Sequence, residues 1–79
     1  MEKLDIIEKL ATIFRTVFKK ESLIITEDLT ANDVEGWDSL THMLLIAEIE
    51  NVFSIKFKLK ELNKMKNVGD MVAIISSKL

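Results

Sequence analysis

The stretch GWDSLTHMLLIAEIENVF, residues 36–53, decides the fold, because an Asp-Ser pair precedes a long run of mostly apolar residues. Both residue types are favoured at the N-terminal cap of a helix, where a side-chain oxygen accepts hydrogen bonds from free backbone amides. We therefore predict a helix from Ser39 to Phe53. Asp38 can cap this helix alone. Ser39 is then either a second capping residue or an accessible hydroxyl group, placed where the helix dipole would favour an attached phosphate.

The predicted helix has apolar residues on two sides of a wheel of about 100° per residue. The residues of one side, which form the predicted core face, are Leu45, Ile46, Ile49, Val52 and Phe53. Those of the opposite side, next to Ser39, are Leu40, Met43, Leu44 and Ala47. One apolar face is enough for a helix to fold. The second side is either covered by other parts of the chain or exposed as a docking surface.

Helical spacing of apolar residues also predicts a first helix from Leu4 to Phe18 and a last helix from Val68 to about Lys78. The apolar stripe of the first helix is Leu4, Ile7, Leu10, Ala11, Phe14, Val17 and Phe18. That of the last helix is Val68, Met71, Val72, Ile75 and Leu79. Asn67 is the predicted N-cap of the last helix. These two helices would close a core with the helix after Ser39.

Residues 21–37 lack a helical period but are too apolar for a free linker, so they predict a long ordered loop with Trp37 anchored on the core. Residues 55–60 alternate apolar and basic side chains without a partner strand, and predict an extended connection into a short helix near Leu59 to Lys64. The predicted fold is all-α: a three- to four-helix bundle with a long ordered loop between helices 1 and 2, in one domain spanning residues 1–79.

Composition limits the classes of function. The 79 residues include no cysteine, which excludes disulfides and thiol chemistry of the chain's own, and no apolar run approaches the length of a membrane span. The net charge of −2 hides an acidic segment at residues 21–38 and a lysine-rich segment at residues 56–66. We interpret the lysines as a solvated face, with a phosphate or an acidic partner as the alternative. We expect a cytoplasmic protein that binds neither nucleic acid nor membranes.

A third possible role of Ser39 is that of the nucleophile in a hydrolase site at residues 38–42. The i, i+3 spacing places Ser39 and His42 within one helical turn. However, so short a stretch does not easily place the Asp38 carboxylate behind the imidazole while the other ring nitrogen faces the serine. We therefore favour a histidine that packs at the margin of the core, and predict no catalytic residue.

Part of the acidic loop is similar to a calcium-binding loop. Asp33, Glu35 and Gly36 match positions three, five and six of an EF-hand. The first and last ligand positions would then be Ala31 and His42, which are unsuitable. No metal site is predicted.

Several motifs together resemble the acyl carrier protein family, including its peptidyl and aminoacyl carrier relatives. They are ITEDL at residues 25–29, GWDSL at residues 36–40, the helix that ends in Val52-Phe53, and NVGDMV at residues 67–72. The Asp-Ser-Leu triplet alone is short and common. Its position, the helix order and the closing motif make the resemblance more specific, and it covers nearly the whole chain.

The resemblance implies that Ser39 is the attachment point for 4′-phosphopantetheine, transferred from coenzyme A by a separate phosphopantetheinyl transferase. The chain is then a substrate of that enzyme and no catalyst, and the arm supplies the thiol that carries acyl or aminoacyl intermediates as thioesters. Asp38 is expected to help the transferase engage. The resemblance also favours exposure of the second apolar side of the helix. The residues then expected to bind partner enzymes are Leu40, Met43, Leu44, Ala47, Glu48 and Glu50.

Two departures from the carriers of fatty-acid synthesis refine this expectation. Thr41, Leu44 and Ala47 stand where those carriers commonly have acids, and residues 56–66 are rich in lysine. We therefore expect docking that depends less on charge. The departures favour a freestanding, monomeric carrier of one pathway, loaded by its own acyl- or aminoacyl-activating ligase and used by acyl-transfer or condensing enzymes. The alternative is a helical interaction module in which Ser39 is only a cap and no prosthetic group is attached.

Overall fold

The computed structural model describes residues 2–79, so Met1, the first residue of the predicted domain, lies outside the described residues. It contains four α-helices: α1 (Lys3–Phe18), α2 (Ser39–Phe53), α3 (Leu59–Leu62) and α4 (Val68–Lys78), with a short 3₁₀ turn at Ala31–Asp33. Residues 2–79 form no strand. The predicted all-α fold is confirmed, and the bounds of α2 agree with the prediction at both ends. None of the described helices is long and apolar enough to cross a membrane.

The core face of α1 differs from its predicted stripe. Ile6 and Ile13 are buried although neither was predicted, whereas Leu4 is 66% exposed. The centre of the arc formed by the buried residues of α1 lies roughly 120° away from Leu4 on a helical wheel, so Leu4 lies at the edge of the apolar arc. The helix ends at Lys19, which adopts the left-handed conformation (φ 55°) and donates its backbone N–H group to the Arg15 carbonyl.

The core faces of α2 and α4 follow the prediction with one exception in each helix. In α2, Val52 is 43% exposed because it lies at one edge of the predicted sector, while the rest of that sector is buried. In α4, the predicted stripe is buried except for Leu79, which follows the last helical residue. Asn67 caps α4 as predicted, since its side-chain oxygen accepts from the Asp70 amide at 2.8 Å.

The loop between α1 and α2 is ordered and packs on the core, as predicted. Trp37 is buried, with its ring edge-on to Phe14 at a centroid distance of 5.2 Å. The loop is also joined to α4, because the Gly69 amide donates to the Glu27 carbonyl at 2.7 Å. A Cβ atom at position 69 would lie 3.1 Å from that carbonyl oxygen, so this close approach favours glycine. These contacts hold the segment before Ser39 in place.

The connection between α2 and α4 is held from both sides. The Phe57 amide donates to a carboxylate oxygen of Glu50 at 2.9 Å. Glu61 of α3 pairs with Lys78 of α4 at 2.8 Å, and this hydrogen bond holds the pKa of the Glu61 carboxyl below its usual value. The short helix was predicted near Leu59 to Lys64 and ends two residues earlier. The extended connection before it is confirmed.

Candidate functional site

Asp38 and Thr41 close the N-terminus of α2 by a reciprocal pair of hydrogen bonds. The Thr41 amide donates to Oδ1 of Asp38 at 2.9 Å, and the Asp38 amide donates to Oγ1 of Thr41 at 2.8 Å. The Thr41 hydroxyl also donates to the Gly36 carbonyl at 2.7 Å, across a turn in which Gly36 has φ +90°. The hydrogen bond from the Thr41 amide is the main cause that lowers the pKa of Asp38, so its carboxylate is ionised at neutral pH. The predicted capping role of Asp38 is confirmed.

Ser39 is the first residue of α2, and its side chain is exposed. Its hydroxyl group makes no hydrogen bond to any other part of residues 2–79, because Asp38 and Thr41 supply the cap. The two interpretations of Ser39 are therefore distinguished by geometry. Its side chain is not a second cap, and its oxygen is accessible to another molecule.

His42 is bound to Trp37 and not to the serine. The indole Nε1–H group of Trp37 donates to Nδ1 of His42 at 3.0 Å. The two ring planes are nearly parallel, with an angle of 16° between them and centroids 6.0 Å apart. Burial lowers the pKa of the half-buried His42 imidazole. Since Asp38 is bound to Thr41 and His42 to Trp37, these residues do not form the triad considered above.

An open cavity of about 360 Å³ lies beside Ser39. Its lining residues are Ala31, Trp37, Asp38, Ser39, His42, Met65 and Lys66. Ala31, Met65 and Lys66 were not predicted to meet Ser39, because they come from the loop before α2 and the connection before α4. No local pattern in the sequence reports this contact, although Lys66 belongs to the lysine-rich segment.

The second apolar side of α2 is exposed. Leu40 is 73% exposed, Met43 58% and Leu44 54%, and Ala47 and Glu48 are exposed beside them. Glu50 differs from the rest of the predicted surface, because it is half-buried and its carboxylate accepts from the Phe57 amide. We call Leu40, Met43, Leu44, Ala47 and Glu48 the outer face of α2. A groove of about 540 Å³ continues from Ala47 towards Lys56 at the other end of the helix.

Charge is divided between the two sides of this site. The acids of residues 27–35 are exposed on the loop before α2, and the five lysines of residues 56–66 are exposed on the connection after it. Across residues 2–79 no group of three or more His, Cys, Asp or Glu residues is placed to hold a metal ion. Along the sequence, α2 therefore stands between an acidic and a basic segment.

A family model for the phosphopantetheine attachment site matches residues 8–75 of the chain. The acyl carrier protein of Coprothermobacter proteolyticus is 36% identical over 80 residues, covering 100% of this chain and 96% of the relative. The acyl carrier protein of Thermotoga maritima is 31% identical over 75 residues, covering 95% and 93%.

Similarity extends to a solved structure. The solution NMR structure of holo acyl carrier protein from Geobacter metallireducens superposes with a TM-score of 0.86 at 46% sequence identity. The match covers 91% of this chain and 83% of that chain. The family match at residues 8–75 includes Ser39, all of α2 and α3, and most of α1 and α4.

Proposed function

Since the chain belongs to the acyl carrier protein family, with its phosphopantetheine attachment site, we propose that Ser39 is the residue that bears the prosthetic group. Members of this family are carriers and not enzymes, and 4′-phosphopantetheine is attached to them covalently. The observation that carries the proposal is the position of Ser39 on the first turn of α2: its hydroxyl is exposed and makes no hydrogen bond to another part of residues 2–79.

The residues around Ser39 fit such a group. The hydroxyl oxygen is accessible, so a partner enzyme can reach it, and no internal base is required when that enzyme supplies its own. The chain has no cysteine, so a thioester on this protein needs a thiol from elsewhere. When bound, the arm supplies that thiol and holds an acyl group in an activated but tethered form. The tether keeps the acyl group at high effective concentration near a docked enzyme.

The chain interacts with biosynthetic enzymes, as its family implies. The finer proposal is that a phosphopantetheinyl transferase, an acyl- or aminoacyl-activating ligase, and acyl-transfer or condensing enzymes dock on the outer face of α2. Its exposed Leu40, Met43 and Leu44 form an apolar cluster next to Ser39, and such clusters on small proteins mark interaction sites. Asp38 lies beside the hydroxyl and would contact the transferase. Glu50 contributes less, because its carboxylate is already bound inside the protein.

The proposed attachment is tested by incubation with coenzyme A, magnesium ions and a transferase of broad specificity, followed by intact mass measurement. We expect the mass to rise by one phosphopantetheine. Ser39→Ala should abolish the gain, and Ser76→Ala, which replaces an exposed serine of α4, should not. A Ser39→Ala protein that still gains the group would show that another residue bears it. No gain in the wild type, while a control carrier is modified, would favour the interaction module.

A further inference from the structure

We propose that Lys66 and the imidazole Nε2–H group of His42 form a binding site for the phosphodiester of the arm, in the cavity beside Ser39. This inference rests on the proposed attachment at Ser39. It concerns residues that come together only in the folded chain, because Lys66 precedes α4 and His42 lies on α2.

The hydrogen bond to Trp37 determines which nitrogen of His42 is free to donate. An indole N–H group is a donor only, so Nδ1 of His42 must be the acceptor. A neutral imidazole carries its single proton on the other nitrogen, which is Nε2. Nε2 of His42 makes no hydrogen bond within residues 2–79. Since every buried polar side-chain atom of these residues has a partner, Nε2 is not buried. The Nε2–H group is therefore available to a ligand in the cavity that His42 lines.

Lys66 lines the same cavity as this donor, and its backbone is held by its neighbours. Met65 is buried in the core, and the Lys66 amide donates to a carboxylate oxygen of Asp70 at 3.0 Å. The backbone on both sides of the side chain is thus fixed, while the side chain itself is exposed and lines the cavity. Of the five lysines in residues 56–66, Lys66 alone borders the cavity at Ser39. Lys56 borders the groove at the other end of α2.

The charges around the cavity favour a cation in this place. A phosphodiester on Ser39 carries one negative charge and would lie beside the ionised carboxylate of Asp38, at the end of an acidic loop. Asp38 keeps its charge because the Thr41 amide donates a hydrogen bond to its carboxylate. Lys66 supplies the opposite charge, and His42 supplies a hydrogen bond without adding a charge while it is neutral. Asp38, His42 and Lys66 are the titratable groups that line the cavity.

The test uses the modified protein, with intact mass confirming that every variant carries the group. The pKa of His42 is measured by NMR before and after modification, together with the ³¹P chemical shift of the phosphodiester. We expect the pKa of His42 to rise by about 0.5 on modification, as for a negative charge roughly 6 Å away in a water-like dielectric. The ³¹P resonance should shift as His42 titrates. Lys66→Gln should move the ³¹P resonance at pH 8, where His42 is neutral.

Two further variants separate contact from general charge or loss of structure. Lys64→Gln removes an equally exposed lysine that does not line the cavity, and should leave the ³¹P resonance unchanged. Lys66→Arg keeps the charge and should preserve the wild-type resonance. A fully modified protein in which neither the pKa of His42 nor the ³¹P shift responds would overturn the phosphodiester site while leaving attachment at Ser39 intact. Failure of the mass gain at Ser39 would overturn both proposals.

Discussion

Leu44 and Leu45 are adjacent leucines of α2, yet Leu45 is fully buried and Leu44 is 54% exposed. The two side chains are chemically identical, and both lie in a helix whose apolar content is high throughout. One residue along the helix rotates the side chain by about 100°, which is enough to move it from the core to the opposite side. The difference shows that apolar character in α2 serves two purposes: one face holds the bundle together, and the outer face is left for other molecules.

The largest expected effect is a loss of stability when the buried leucine of this pair is truncated. Leu45→Ala removes a large side chain that has no solvent exposure, and should cost about 2 to 5 kcal/mol in the free energy of unfolding through lost transfer energy and an unfilled cavity. Leu44→Ala is the matched control, and should change the same quantity by no more than about 0.5 kcal/mol. Urea unfolding measures both. Equal losses would mean that the two faces do not differ in their contribution to the fold.

A smaller effect is expected on docking when the exposed leucine of this pair is replaced by a charged residue. Leu44→Glu should leave the protein folded, because the new carboxylate remains in water, but should weaken the interaction with the transferase. A loss of about tenfold in the modification rate corresponds to about 1.4 kcal/mol, a moderate contribution for an interface residue. Thr16→Glu on α1 is an exposed control outside the outer face and should have no effect on the rate. Unfolding of Leu44→Glu would instead assign this side to the core.

The start of α2 offers a similar comparison between two neighbours. Asp38→Ala removes the side chain that caps the helix, and should lower the urea midpoint by less than Leu45→Ala does. Ser39→Ala should leave the midpoint unchanged, since its hydroxyl makes no hydrogen bond to residues 2–79, and yet should abolish modification. A fall in the midpoint with Ser39→Ala would show that the serine is structural after all.

The sequence predicted those features that depend on nearby residues. The bounds of α2, the cap at Asp38 and the cap at Asn67 all follow from patterns within a few positions, and each is confirmed. The two sides of α2 could be identified by periodicity, although periodicity alone left open whether the second side was covered. Exposure of that side depends on where α3 and the loop lie, which the local pattern does not contain.

What the sequence did not predict depends on contacts between distant segments. Lys66 and Met65 reach the cavity at Ser39 because the loop before α2 is bonded to the start of α4, through Gly69 and Glu27. The predicted stripe of α1 was displaced for a related reason. Its continuous apolar arc is wider than the part that other elements cover, so Leu4 at one edge remained exposed. A pattern in one helix indicates the apolar arc and leaves the covering element undetermined.

The smallest predicted effect concerns pH and tests the link between Trp37 and His42. Burial lowers the pKa of His42 in the folded protein below its usual value of 6.5. Just below pH 6.5 the unfolded chain therefore binds a proton that the folded chain does not, and stability falls as pH decreases through this range. The fall should be modest, because the imidazole is only half-buried. Asp38 adds a separate loss of stability as the pH falls below 3.8, because the lowered pKa in the folded protein means that the unfolded chain takes up a proton there first.

His42→Gln is the matched control for this pH dependence. Glutamine does not titrate, and its carbonyl oxygen can still accept a hydrogen bond from an indole N–H group. Between pH 7.5 and 5.5 the thermal midpoint of the wild type should therefore fall more than that of His42→Gln. At lower pH, where the folded protein itself takes up a proton at His42, fluorescence of Trp37, the single tryptophan, should change in the wild type alone, because protonation of Nδ1 removes the acceptor for its N–H group. If the thermal midpoints of the two proteins fell equally with pH, the hydrogen bond between Trp37 of the loop and neutral His42 of α2 would not be the source of the pH dependence.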